Sequence, residues 1–425
     1  MKIKIHRGLE QIGGCITEIS TATSRVFIDL GQNLPGNGDE QTPEQDKLMI
    51  ENLFKSNKKE HEAVFYTHGH EDHIGLFEYV PMNVPQFMSA GTKELISIKY
   101  EILKEGNELL LEQLEKDDYT QKELIEKTNN QNISIANKLK LISRIKAWNK
   151  TLPRKSPSSI TIGDITITPF FNCHSIYDSH MFLIEAEGKR IWHTGDYRAH
   201  GYMGKGLYPT LKKYATNIDT LITEGTMLNR NDECIHESKV ANKMTNVMKA
   251  FKYIFVLASA TDIERLASIK NASIEAKKPM YVFSKFLVST MKLFTKLESE
   301  SSHGLFNFAP RLFKQNYLNR LRKQGFVLIT GTSQISRTAE LLKELPTDET
   351  LLIYSSWDGY YKIPEQVLAS PKYKQFRELF SNVVDIHTSG HADIATIKKV
   401  IEIVKPKEII CIHKEANAEL KFVNK

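Results

Sequence analysis

The spacing of apolar and polar positions divides the chain into stretches of different kinds. Residues 12–20 and 25–30 alternate in short runs, broken by Gly13-Gly14 and by Gly31-Gln32-Asn33-Leu34-Pro35-Gly36, which predicts half-buried strands joined by turns. Residues 48–54 predict a short helix, and Ala63-Val64-Phe65-Tyr66-Thr67 a buried strand. From 93 to 150 the apolar positions recur at helical spacing. Strands resume at 159 and continue through Ile165-Thr166-Ile167-Thr168, 189–193 and 219–224. From 226 to 385, wholly apolar runs at 253–257, 280–283, 326–329 and 351–354 alternate with helical segments, and such runs belong inside a parallel sheet. Two further strand patterns follow, at 383–386 and 409–413. The pattern predicts an α/β protein with two sheet-bearing units, one inserted into the other.

A length of 425 residues suits two ordinary cores, and 41% hydrophobic with 25% charged residues is a globular composition. The net charge of +6 permits a polyanionic partner without requiring one. No apolar run reaches membrane-spanning length, and Met1-Lys2-Ile3-Lys4-Ile5-His6-Arg7 reads as a strand, not a signal-peptide core. A cytoplasmic protein with no membrane partner is expected. Cys15, Cys173, Cys234 and Cys411 have neither zinc-finger spacing nor disulfide-scaffold density, so they are expected as free thiols in a reducing compartment.

Charge is unevenly distributed. Between Glu101 and Glu126 there are nine acids against three lysines, whereas Lys138, Lys140, Arg144, Lys146, Lys150, Arg154 and Lys155 follow with no acid among them. Two readings stand: a helical hairpin whose acidic and basic arms face each other, or a nucleic-acid path that includes Trp148. Residues 301–339 also contain no acid, while Arg311, Lys314, Arg320, Arg322, Lys323 and Arg337 are basic. They form either a solvated helix face or a groove for a phosphate backbone. Gly201-Tyr202-Met203-Gly204-Lys205 has too few residues between its glycines for a phosphate-binding loop and is expected to be an ordinary loop.

The concentrated chemistry is His68-Gly69-His70-Glu71-Asp72-His73-Ile74-Gly75, immediately after a predicted strand. His68 and His70 can turn toward one ion, while Asp72 and His73 reach a second beside it. A zincin helix needs one more residue between its histidines, so that arrangement is excluded. His174 and Asp196 also stand at predicted strand ends, as do His391 and His413 near the end of the chain. Isolated strand-end histidines are usually ordinary loop residues, and it is their joint placement that argues for one site. His193, His200 and His236 lack such company and are expected to be ordinary polar residues.

His-x-His-x-Asp-His after a strand, with a later lone histidine and aspartate, resembles the metallo-β-lactamase superfamily. The intervening stretch, together with Glu224, His391 and His413 in the positions of its motifs A, B and C, resembles the β-CASP nucleases. Several stretches are similar in wording to ribonuclease J, among them His174-Ser175-Ile176-Tyr177-Asp178-Ser179 and His387-Thr388-Ser389-Gly390-His391. Ile235-His236-Glu237 and Met181-Phe182-Leu183-Ile184-Glu185 sound more like the cleavage-and-polyadenylation endonuclease. The resemblance implies a metallo-β-lactamase αββα sandwich, residues 1–225 with a helical insertion at about 93–150, an inserted α/β β-CASP domain at 226–385, and a return at 386–425.

It further implies two zinc ions, one on His68, His70 and His174 and the other on Asp72, His73 and His413, bridged by Asp196. Manganese accepts the same ligand set. Catalysis would fall to Asp72, Asp196, His391 and Glu224: a bridging hydroxide attacks phosphorus in RNA, His391 assists the leaving oxygen, and Glu224 orients His391. The products would carry 5′-phosphate and 3′-hydroxyl ends, by exonucleolytic or endonucleolytic cutting. A ribonuclease J type enzyme would also hold a 5′-phosphate, for which Ser389 and Gly390, Ser333, and Ser259 with Arg265 are the candidates. The alternatives are a DNA nuclease, a thioester or lactone hydrolase, and a non-catalytic RNA-binding subunit. The chain stops twelve residues after His413, so the C-terminal dimerisation domain of ribonuclease J is not expected, and neither oligomeric state nor protein partners carry over.

Overall fold

The computed structural model describes residues 1–36, 41–114, 121–148, 158–230, 234–298 and 304–420. The first sheet takes its strands in chain order: β1 (Lys2–Arg7), β2 (Ile16–Ser20), β3 (Ser24–Ile28), β4 (His61–Phe65), β5 (Gln86–Met88) and β6 (Lys146–Ala147). Its first three strands are antiparallel, and from β3 onward the neighbours run parallel. The second sheet contains β7 (Ile160–Ile162), β8 (Ile165–Asn172), β9 (Ser179–Ala186), β10 (Lys189–His193) and β11 (Thr220–Glu224). The third is wholly parallel, built from β12 (Tyr253–Leu257), β13 (Met280–Val282), β14 (Phe326–Thr330), β15 (Thr350–Tyr354) and β16 (Val383–Asp385) in the order β13-β14-β12-β15-β16. Finally β17 (Glu408–Ile412) returns to the second sheet, parallel to β11, with Glu224 opposite Ile412.

The first two sheets face each other. Ile19, Val26, Ile28 and Phe65 from one interdigitate with Ile167, Phe182, Ile184 and Ile222 from the other. Helices cover both outer faces: Pro43–Lys55, Ala90–Leu114 and Lys122–Arg144 on the first, Leu207–Tyr214 and Ile394–Val404 on the second. The architecture is an αββα sandwich with a separate α/β unit, as expected from the resemblance. The central strands β12, β14 and β15 are buried along their whole length, which is why their sequences lack polar alternation.

The predicted helix at 48–54 starts earlier, because Thr42 and Gln45 form a reciprocal capping box and Pro43 fits the first turn. In the helical stretch, Ala90–Leu114 and Lys122–Arg144 pack side by side, and Asn107 donates to Asn132 at 3.0 Å. Of the acidic run, Glu105 pairs with Lys285 of the α/β unit and Glu108 with Lys104 of its own helix, and Glu94, ahead of that run, pairs with Lys296.

Trp148 is no part of an exposed path. Its ring packs on Phe65, Phe182 and His180, sealing the edge of the sandwich core. Lys140, Arg144 and Lys146 are exposed, while Lys150, Arg154 and Lys155 lie outside the described residues. In the acid-free segment, Arg337 donates to the carbonyls of Phe283 and Phe313, Arg320 donates to the Tyr281 hydroxyl, and Arg322 pairs with Glu344. Those three arginines hold their own unit together. Gly201 to Lys205 is a loop that enters a short 3-10 turn.

Candidate metal centre

Strand ends converge on one rim of the sandwich. The loop after β4 carries His68 and His70, and the short helix Glu71–Ile74 carries Asp72 and His73. His174 follows β8, Asp196 follows β10, Glu224 ends β11, and His413 follows β17. Two close approaches fix the Asp72 turn. Cys15 N donates to the Asp72 carbonyl at 2.9 Å, and a Cβ placed on Gly31 would lie only 1.7 Å from that oxygen.

The hydrogen bonds behind the histidines decide their tautomers. Asp29, at the end of β3, accepts from Thr67 N, Thr67 Oγ1 and His73 Nδ1, each at 2.7 Å. The Thr67 hydroxyl thus spends its proton on Asp29 and accepts from His68 Nδ1 at 2.9 Å. Likewise Thr226 donates to Glu224 Oε2 at 2.6 Å and accepts from His413 Nδ1 at 2.7 Å. His174 Nδ1 donates to the Gly390 carbonyl at 2.7 Å. In all four rings the proton sits on Nδ1, so the Nε2 lone pair points into the site.

These lone pairs meet other acceptors. His73 Nε2 lies 3.1 Å from Asp196 Oδ2 and has no hydrogen-bond donor, and His413 Nε2 lies 3.1 Å from Asp72 Oδ2. His68 Nε2 and His174 Nε2 approach His70 Nδ1 at 3.0 and 3.2 Å. Asp196 Oδ2 also lies 3.5 Å from His413 and 3.8 Å from His174. Converging acceptors without intervening donors fit cations, and nitrogen with carboxylate oxygen is a set that zinc accepts. His68, His70 and His174 form one compact trio, and His73, His413 and Asp72 surround the other side of Asp196.

Electrostatics follow from burial and the carboxylates. Burial pushes His70 down to about 4 and lowers His68 and His174 well below the usual imidazole range. For Asp72 burial acts upward, but His73 and His413 outweigh it and bring its pKa to about 2. His73 is opposed by burial yet raised by Asp196, Asp72 and Asp29. His391 behaves similarly: burial lowers it, Glu224 and Asp196 more than compensate, and Arg230 opposes them. Glu224 accepts from His391 Nδ1 at 2.9 Å, Tyr197 N at 2.9 Å and Ala392 N at 3.3 Å.

A cavity of about 730 Å³ opens from these residues toward the α/β unit. Ser389 and Gly390 line it, although their carbonyls are taken by His200 and His174. Ser259 is exposed and also lines it. Ser333 is exposed and is not among the lining residues. Arg265 also lines the cavity. It is 1% exposed, and its guanidinium is committed to Glu237, Ser355, His387 and the Thr388 carbonyl. A phosphate would have to displace those partners, so Arg265 positions the loop before His391.

Several residues were passed over in the sequence. Asp29 and Thr226 set ring tautomers, and Asp29 was signalled only as an acid ending an apolar run. His200 was expected to be ordinary, yet it donates to the Ser389 carbonyl at 2.7 Å. Arg198, only two residues after Asp196, pairs with Glu237, Asp262 and Glu264 and ties the sandwich to the α/β unit. His236 does act locally, capping the helix Glu237–Ala250.

Facing sheets with this ligand rim, and an α/β unit placed between β11 and β17, define a metallo-hydrolase fold of the metallo-β-lactamase type. Comparison with known proteins gives the narrower likeness. Residues 381–425 match the family described as Zn-dependent metallo-hydrolase RNA specificity domain. Ribonuclease J of Helicobacter pylori strain B128 is 22% identical over 438 residues, covering 98% of this chain and 56% of the relative, and that of strain J99 matches to the same extent. The chain therefore spans about half the length of the curated relatives it matches. A crystal structure of a protein of unknown function from Enterococcus faecalis V583 superposes with a TM-score of 0.67 at 17% identity, covering 99% of this chain and 95% of that one. The chain is ribonuclease J-like over nearly its whole length.

Proposed function

We propose that this protein is a metal-dependent ribonuclease carrying two zinc ions, cutting RNA to leave 5′-phosphate and 3′-hydroxyl ends. The observation that carries the reading is the convergence of the inward Nε2 atoms of His68, His73, His174 and His413 on carboxylates or another imidazole, a set of nitrogen and oxygen donors that suits metal cations. Residues 1–225 and 386–425 would form the metal-bearing unit and 226–385 the inserted one.

His68, His70 and His174 would hold one ion, Asp72, His73 and His413 the other, with Asp196 between them. When bound, a metal pair supplies a water of lowered pKa and neutralises charge on phosphoryl oxygens. His391 keeps its Nδ1 proton on Glu224, which leaves Nε2 for the substrate. Because Glu224 and Asp196 raise its pKa against the effect of burial, His391 holds a proton to give to the departing 3′ oxygen. The hydrogen bonds from Tyr197 and Ala392 keep Glu224 in place for that task.

The test uses 5′-labelled, 5′-monophosphorylated RNA with protein in zinc or manganese, beside an Asp72→Ala, His73→Ala control. Labelled mononucleotide identifies a 5′ exonuclease and internal fragments an endonuclease. No product from wild type carrying two ions rules out the ribonuclease.

A further inference from the structure

The cavity wall also contains Arg230, Trp357 and Tyr360, which the reaction above does not use. Arg230 lies six residues after Glu224, past the turn bearing Thr226, and its guanidinium carbon sits 4.3 Å from the centroid of the Trp357 ring. Trp357 comes from the α/β unit, three residues beyond β15. Its indole is held closely: a Cβ on Gly359 would be 2.3 Å from it, and Tyr360 meets it edge-on at 5.4 Å. A guanidinium over an aromatic ring gains cation–π attraction and is partly ordered before any anion arrives.

Arg230 lines the same cavity as His391, Asp72 and Tyr360. That volume is of small-ligand size, enough for a nucleotide or two of single strand.

We propose that Arg230, stacked on Trp357, binds a backbone phosphate of single-stranded RNA beside the scissile one, on the His391 side, with Trp357 holding the guanidinium in position. Arginine suits the role because its planar fork can grip a phosphate through paired N–H donors. The inference rests on the ribonuclease reading and specifies how that site grips its substrate.

The experiment measures binding of zinc-loaded full chain to a labelled, cleavage-resistant phosphorothioate oligoadenylate RNA across a salt series. Arg230→Ala should weaken binding about tenfold and reduce the slope of log affinity against log salt by about 0.7, one phosphate contact on a single strand. Trp357→Leu should weaken binding with the charge still present, and the double variant should bind no worse than Arg230→Ala alone, since the two act as one unit. Arg230→Lys should retain the salt slope while losing part of the affinity, and it carries the test if Arg230→Ala does not fold. Wild-type affinity and slope in Arg230→Ala, or in Arg230→Lys if that variant carries the test, overturn the inference and leave the ribonuclease reading intact. If wild type binds no RNA at any salt, both fall together.

Discussion

Replacing Asp29 by Asn tests the tautomer argument without changing shape. Asn tolerates the left-handed backbone that Asp29 adopts at φ 62°, so the conformation itself adds little strain. The chemistry changes at both oxygens. Oδ2 accepts His73 Nδ1 and Thr67 Oγ1, and Oδ1 accepts Thr67 N. Either orientation of the amide sets an NH₂ donor against an existing donor. The relief available to His73 is to move its proton to Nε2, which removes the lone pair aimed at Asp196. Partners of this kind behind a metal-ligating histidine are worth roughly 10- to 100-fold in metal affinity, about 1.4–2.8 kcal/mol. One zinc should weaken by that factor, and the zinc on His68, His70 and His174 should weaken less, through Thr67 alone. Competition against a chromophoric chelator, resolving two binding steps, measures both. Two unchanged affinities would refute the assignment of His73 as an oriented ligand.

Three further outcomes follow from the same geometry. In chelator, stability should fall as pH drops from about 6.5 toward 4, because burial holds His70, His193 and His200 at about 4 and His387 at about 3, and the unfolded chain takes up protons that the native one refuses. His73 acts oppositely, but its stabilisation is complete below its unfolded pKa of about 6.5 and is lost only as pH rises through its raised folded value, so it does not offset the loss in this window. A thermal midpoint that is flat or rises from about pH 6.5 to 4 would refute the burial of neutral histidines. Trp148→Ala should cost about 3–5 kcal/mol in urea unfolding while leaving RNA affinity unchanged, and the reverse result would restore the exposed-path reading. Arg265→Ala should cost about 3 kcal/mol by leaving the buried Glu237 carboxylate with Arg198 as its remaining cation. Altered 5′-end preference with full stability would restore it as a phosphate contact.

The local sequence determined a good deal. Alternating runs, fully apolar runs and helical spacing marked the strands and helices, because burial on one face or both leaves its period in the chain. The ligand types were legible since histidine and aspartate collect at strand ends, and the order of motifs along the chain told which unit was inserted. Charge was less informative. The run of acids before a run of bases allowed a hairpin with facing arms, and the two helices do pack side by side, but Glu105 found Lys285 of the α/β unit, which comes into reach only after folding. Trp148 lay among lysines in the sequence and inside an aromatic core in space.

What only the tertiary structure decided is pairing across long separations. Asp29 reaches His73, Thr226 reaches His413, and Gly390 reaches His174. Each contact sets a proton on one ring nitrogen, and nothing in residue spacing encodes that choice. Arg265 and Arg230 make the same point from opposite sides. Both are basic residues in the α/β stretch of the sequence, yet one is enclosed by Glu237 and the other lies over Trp357 at the cavity wall. Sequence supplies the charge, whereas the desolvation and the neighbours that determine its use exist only once the sheets have packed.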